Sequence, residues 1–254
     1  MTGTRPVVDF MFVDFILDGM GEIMNQMAKM QYMSSGRLKM PVVLRGCIGI
    51  GGASATHHSG NYYAMFANVP GLRVVLPTTP ADAKGLFKTA LRGYDPVLFL
   101  EHKSLLNTKG MVPDEDVAIP FGKARVAREG SHITVVGIAL MVNRVLQLAD
   151  ALDKEGISIE VIDPRTVSPL DMDTVRASLR KTGRLLVVDE AFSPCGIGAE
   201  ISARIMEEAF DDLDAPVRRV NGAFAPTPYS PTLESVIVPG NDAIAKASRD
   251  LDKE

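Results

Sequence analysis

Apolar residues fall in short runs along the chain, set apart by polar stretches rich in glycine and proline. Val7 to Val13, Pro41 to Leu44, Arg73 to Leu76 and Val97 to Leu100 read as strands in the first half. Ile133 to Gly137, Ile157 to Ile162 and Leu185 to Val188 do so in the second. Brief apolar runs bounded by turn residues are the mark of strands buried on both faces. Between them the spacing turns helical. From Phe15 to Met33, apolar residues recur at Ile16, Met20, Ile23, Met27 and Met30, in steps of four and three, which predicts one amphipathic helix. Met24 and Met33 make that helix unusually rich in methionine. Its apolar face is either ordinary core or a surface toward another subunit, where the flexible thioether adapts to irregular contacts.

Thr79-Pro80 opens a further helix to about Arg92, with Thr79 as N-cap and proline in the first turn. Val142 to Lys154, Asp171 to Lys181 and about 241–251 are expected helices too. Alternation of strand and helix points to an α/β fold with parallel sheets. Residues 102–120 carry no clear period, and Lys109-Gly110, Pro113 and Asp114 to Asp116 read as a linker. The expected domains are 1–115 and 116–254. Asp189-Glu190, at a strand end, is open to two readings, a pair of catalytic carboxylates or, favoured, a solvated strand end with a cap.

Chemistry concentrates in residues 46–60, GCIGIGGASATHHSG, where five of fifteen positions are glycine. The stretch follows a strand, brings His57 and His58 to its tip and leads into a helical segment at 61–68. Histidine moves protons near neutral pH, and α/β folds bind ligands at such strand-to-helix turns. The stretch is open to two readings, a tight turn or an active-site loop. Two known loops are excluded. Ser54 stands where the dinucleotide fingerprint needs its third glycine, and Ala53 and Ala55 flank Ser54 where a nucleophile elbow needs glycine.

Composition narrows the classes. A net charge of −4 argues against a nucleic-acid binder. No apolar run is long enough to cross a membrane. Cys47 and Cys195 match neither a disulfide framework nor a zinc site and are expected as buried free thiols in a reducing cytoplasm.

Read together, the segments RPVVDFM (5–11), PVVLRG (41–46), His58-Ser59, PGLRVV (70–75), DAKGL (82–86), DPVLFLE (95–101), DPRTVSPLD (163–171), KTGRL (181–185), GAE (198–200) and LDAP (213–216) resemble a known family over essentially the whole chain. It is the β subunit of the first, thiamine-diphosphate-dependent component of the 2-oxo acid dehydrogenases: pyruvate, branched-chain 2-oxo acid and acetoin dehydrogenases. The resemblance implies a pyrimidine-binding α/β domain, truncated at its start, followed by a transketolase C-terminal-like α/β domain. It implies an α2β2 heterotetramer in which the α subunit holds the magnesium of the shared thiamine diphosphate. It implies a lipoyl acyltransferase core as partner, and oxidative decarboxylation of a 2-oxo acid with acyl transfer to lipoyl-lysine. Met11 and Phe15 match positions that pack on the aminopyrimidine ring, and His58 matches the catalytic histidine. The backbone at Val42, Ala90 and Asp95 matches a potassium site of some relatives, with Gly93 where an acidic residue often stands. The family's cofactor-activating glutamate belongs to a segment expected ahead of Arg5. Two alternatives follow: a catalytically incompetent subunit serving binding or assembly, and an acetoin-cleaving or transketolase-like enzyme.

Overall fold

The computed structural model describes residues 2–254. Ten strands occur among them: β1 (Val7–Phe12), β2 (Val43–Ile48), β3 (Arg73–Val75), β4 (Val97–His102), β5 (Arg125–Arg128), β6 (Ile133–Gly137), β7 (Ile159–Asp163), β8 (Thr166–Ser168), β9 (Leu185–Phe192) and β10 (Arg218–Gly222). The α-helices are α1 (Met30–Met33), α2 (Tyr63–Ala67), α3 (Pro80–Arg92), α4 (Leu140–Lys154), α5 (Met172–Thr182), α6 (Ile197–Glu208), α7 (Pro231–Ile237) and α8 (Asn241–Asp252). The chain divides into two compact units, residues 2–123 with 165–169, and residues 124–164 with 170–254.

In the first unit the sheet order is β1-β2-β4-β3-β8. The pairings β1·β2, β2·β4 and β3·β4 are parallel, and β8 closes the far edge antiparallel to β3. The interior strands β2 and β4 are almost wholly buried, as parallel strands covered on both faces must be. On the sheet lies a cluster of Val43, Val75, Leu86, Ala90, Val97 and Phe99, with Phe87 meeting Phe99 edge to face at 5.1 Å between centroids. Helix α3 starts as its cap residue dictates: Thr79 Oγ1 accepts the Asp82 N–H at 3.1 Å. Ile119 packs directly over Gly85 of this helix. Strand β1 is the other edge and stays largely exposed.

In the second unit the order is β10-β9-β6-β7-β5, parallel except for β5. Strands β6, β7 and nearly all of β9 are buried. Helix α4 lays Met141, Val142, Val145, Ala149 and Leu152 inward, at helical spacing. Each Val or Leu so buried stabilises by about 1.5–3 kcal/mol. The one polar side chain pointing into β6's packing, Thr134, is satisfied by Ser178 at 2.6 Å and Thr182 at 2.7 Å from α5.

The sheets depart from a purely parallel arrangement through β5 and β8. The single helix expected over residues 15–33 is a relay of shorter pieces: a 3₁₀ segment Val13–Gly19, a π-helical turn Gly21–Met27 and α1. Gly19 and Gly21 weaken the helix where the winding changes, and Ile16, Ile23 and Met27 still point inward. Asp189 and Glu190 are not a solvated strand end, because β9 continues to Phe192 and buries both. Asp189 Oδ1 instead accepts the Ala191 N–H at 2.9 Å. Cys195, expected inside, is exposed, whereas Cys47 is half-buried; both are free thiols. Among the described residues, no helix is long and apolar enough to cross a membrane.

Candidate functional site

Strand β1 ends in an unusual turn. Its penultimate residue, Met11, has φ +64°, a left-handed conformation that costs a non-glycine residue about 1–3 kcal/mol. Asp9 holds it there: its Oδ1 accepts the Met11 N–H at 2.7 Å. The other Asp9 oxygen, Oδ2, pairs with Arg45 Nη1 at 2.6 Å, and Arg45 Nε donates to Glu101. This chain of charges crosses β1, β2 and β4, and the turn it holds at Met11 lies at the C-terminal end of β1, the end where such sheets place ligands. The result is a methionine thrust into solvent, 68% exposed, with Phe15 43% exposed one turn further along. Together they form an exposed apolar patch of the kind that marks a ligand or partner site.

His58 lies beside them. Its imidazole stands edge-on to Phe12 at 4.8 Å and to Phe15 at 5.5 Å between centroids, while the two phenyl rings are 6.3 Å apart. Three rings packed edge to face fix one another's orientation. His58 is half-buried, and its neighbour His57 is exposed.

The loop carrying His58 is tied at both ends. Gly49 N–H donates to the Gly60 carbonyl at 3.1 Å and closes its base. Gly60 N–H donates to Asp14 Oδ2 at 3.3 Å, and Asp14 Oδ1 faces the Tyr62 hydroxyl at 3.4 Å. Burial, then the Asp14 charge, pushes the Tyr62 phenol up and keeps it a hydrogen-bond donor. Gly49 has φ +100°, and a Cβ there would lie 2.0 Å from Nε2 of the buried His102. The chain therefore turns on a glycine pressed against an imidazole. Ala53 and Ala55 also take positive φ, so the strain is concentrated between β2 and His58. Burial, then the Glu101 charge, pushes the nearby Cys47 thiol up.

Met11, Phe15 and His58 thus belong to one unit, and Phe15 touches His58. Val42, Ala90 and Asp95 belong to the same unit, away from those rings in sequence and contact. The Val42 carbonyl accepts the Val97 N–H at 2.9 Å. Asp95 receives Arg73 Nη2 at 2.8 Å and Gln31 Nε2 at 3.0 Å. Burial raises the Asp95 carboxyl, but the Arg73 and Gln31 hydrogen bonds and the Arg73 charge outweigh it and hold it below its usual range. At the end of α3, Arg5 donates to the carbonyls of Leu91, at 3.0 Å, and Gly93. Among the described residues, no cluster of three or more histidine, cysteine or acidic side chains could hold a metal ion.

Periodicity alone leaves Asp9, Phe12, Asp14, Arg45 and Lys103 unmarked. The available signal is positional: all five lie at or just beyond the C-terminal ends of β1, β2 and β4, or on β1 and β2 themselves.

Known proteins match nearly the whole chain. Residues 1–109 match the model for the transketolase pyrimidine binding domain, and residues 122–244 match that for the transketolase C-terminal domain. The chain is 46% identical over 247 residues to the acetoin:2,6-dichlorophenolindophenol oxidoreductase subunit beta of Cupriavidus necator, covering 97% of this chain and 73% of that one. It is 45% identical over 251 residues to a mitochondrial pyruvate dehydrogenase E1 component subunit beta-2 of Oryza sativa, covering 97% and 67%. It is 44% identical over 253 residues to the 2-oxoisovalerate dehydrogenase subunit beta of Bacillus subtilis, covering 99% and 77%. A solved split-gene transketolase, described as an inactive β4 tetramer, shares the fold with a TM-score of 0.79 at 22% identity, covering 99% of this chain and 77% of that one. With both domains matched and relatives of this identity, the chain belongs to the family of β subunits of the thiamine-dependent pyruvate, acetoin and branched-chain 2-oxo acid dehydrogenases.

Proposed function

We propose that this chain, joined to an α subunit in an α2β2 assembly in the cytoplasm, carries out oxidative decarboxylation of a 2-oxo acid such as pyruvate and passes the acyl group to lipoyl-lysine of an acyltransferase core. The observation that carries the reading is the exposed pair Met11 and Phe15 beside the His58 imidazole. An apolar thioether and an aromatic edge suit the flat aminopyrimidine of thiamine diphosphate. When bound, that cofactor supplies the carbon nucleophile for the substrate carbonyl. Its magnesium is assigned to the α subunit.

The roles of the side chains follow from their surroundings. Met11 offers a contact surface that needs no rearrangement on binding, because Asp9 and Arg45 already fix its backbone. Phe15 adds an aromatic wall and shields the site from water. His58 holds or releases a proton at its imidazole while the acyl group moves on, its ring kept edge-on by Phe12 and Phe15. A potassium ion, held by the backbone carbonyls at Val42, Ala90 and Asp95, completes the proposal as a structural element.

The test is coexpression with the α subunit and assay on pyruvate, branched-chain 2-oxo acids and acetoin. Turnover of one of them, with His58→Ala lowering acyl transfer at least tenfold while thiamine diphosphate still binds, is the expected result. An assembly that binds cofactor yet turns over none of the three would move the reading to a binding or assembly subunit. An unchanged rate in His58→Ala removes the histidine from the mechanism.

A further inference from the structure

The half-buried Lys103 follows directly on β4, in a 3₁₀ turn Lys103–Leu105. Its Nζ donates to the His58 carbonyl at 2.8 Å and lies 3.4 Å from Ser59 Oγ. The contact spans 45 positions of sequence and joins the end of a rigid interior strand to the tip of the strained loop.

Three features make this more than a surface contact. A lysine side chain has several rotatable bonds, and holding it in one rotamer costs about 1–2 kcal/mol, so an ordered lysine of this kind is held by what its ammonium binds. The acceptor is the backbone of His58 and not its ring. Fixing that carbonyl orients the peptide plane after His58 and so narrows the directions open to its Cα–Cβ bond. Beyond His58, Asp14 and Gly49 both engage Gly60. Lys103 supplies a hold at the histidine's own backbone, while Phe12 and Phe15 pack on its ring. On the same strand end, His102 backs Gly49 at the loop's start, so two consecutive residues of one strand terminus set both the origin and the tip of the loop.

We propose that Lys103 is a positioning residue for His58: its ammonium, bound to the His58 carbonyl, keeps the imidazole edge-on to Phe12 and Phe15 in the orientation the chemistry needs. This rests on the catalytic reading of His58. The geometric claim, however, is read separately from turnover.

The chain has four histidines, His57, His58, His102 and His132, so a histidine-labelled NMR spectrum of the full chain is simple enough to assign with His58→Ala. Lys103→Met keeps the length of the side chain and removes its donors. The expected result is that the His58 ring resonances shift and broaden while those of His132 stay in place. Lys103→Arg, which restores a cationic donor, should recover most of the original His58 spectrum. In the assembled complex Lys103→Met should lower kcat by about 10–100-fold, with KM within about twofold, because misplacement of a catalytic group by an ångström costs on that order. Should the methionine variant fail to fold, Lys103→Gln is read in the same way. His58 resonances unchanged in the methionine or glutamine variant overturn the proposal whatever the rate does. Resonances that move while His58→Ala remains fully active leave the positioning intact and defeat the catalytic reading instead.

Discussion

The carboxylate of Asp9 accepts the backbone N–H of Met11 at 2.7 Å, and so keeps a left-handed methionine at the end of an edge strand. Arg45 holds the same carboxylate from the neighbouring strand at 2.6 Å. The side chains of Asp9 and Arg45 are 47% and 36% exposed, so the pair contributes little to global stability in water. Its effect is local, on where Met11 points. Asp9→Ala should lower the unfolding free energy by no more than about 1 kcal/mol while weakening thiamine diphosphate binding to the assembled complex about tenfold. Isothermal titration of cofactor, set beside a thermal melt, separates the two. A loss of stability without a loss of affinity would show that Asp9 serves the strand and not the methionine.

At Gly49 both the backbone and the space forbid a side chain. With φ +100° and a would-be Cβ 2.0 Å from His102 Nε2, Gly49→Ala must strain the loop and displace a buried imidazole. The expected cost is about 2–4 kcal/mol. The double variant Gly49→Ala/His102→Ala should recover part of it, since the collision is removed and the left-handed strain is not. Denaturant unfolding of the four proteins gives the coupling energy. Strict additivity of the two substitutions would deny the contact.

Much of the fold can be read from residue order. Thr79 and Asp171 cap their helices as their residue types predict, the latter accepting the Thr174 N–H at 3.2 Å. The buried strands β4, β6 and β9 stand where apolar runs stand. What escapes depends on partners distant in sequence. The methionine-rich segment keeps its inward face although its winding changes twice, because burial fixes the face and local glycines fix the winding. Asp189 and Glu190 look like a strand's polar end because nothing local announces that β9 runs on to Phe192. Lys103 sits in a stretch without periodicity, and its contact is 45 residues away. The glycine loop and His58 stand out by composition, whereas the left-handed turn at Met11 has no glycine to mark it.

Of the three carbonyls proposed for potassium, at Val42, Ala90 and Asp95, that of Ala90 lies in the last turn of α3. Helix C-termini present unpaired carbonyls and attract cations, as Arg5 already does at Leu91 and Gly93. Raising KCl from zero to 100 mM at constant ionic strength, with NaCl making up the balance, should lift the melting temperature by about 2–4 °C, equivalent to about 1 kcal/mol for a protein of this size. Arg5→Ala should enlarge the potassium effect if the Arg5 charge, seated on the neighbouring Leu91 and Gly93 carbonyls, repels the ion. Identical melts in the two salts would strike potassium from the proposal.

The Glu160–Lys181 pair should make stability depend on pH at both ends of the scale. Burial pushes the Glu160 carboxyl up, but hydrogen bonds from Lys181 and Ser178 outweigh it and bring it below its usual 4.5. Lys181, hydrogen-bonded to Glu160 and then Glu129, is raised above 10.5. A depressed carboxyl contributes stability that is fully present above its unfolded value and is lost as pH falls through the lower, folded one. A raised ammonium contributes stability that is fully present below its unfolded value and is lost as pH rises through the higher, folded one. The pair should therefore stabilise the second unit across the whole interval between 4.5 and 10.5. Glu160→Gln should cost about 1–2 kcal/mol at pH 7, and the gap between the two proteins should narrow steadily as the solution is acidified below pH 4.5. Calorimetric melts at closely spaced pH values read this directly. A gap at pH 3 as wide as that at pH 7 would mean that the glutamate acts through its shape and neutral hydrogen bonds, and that its charge contributes nothing.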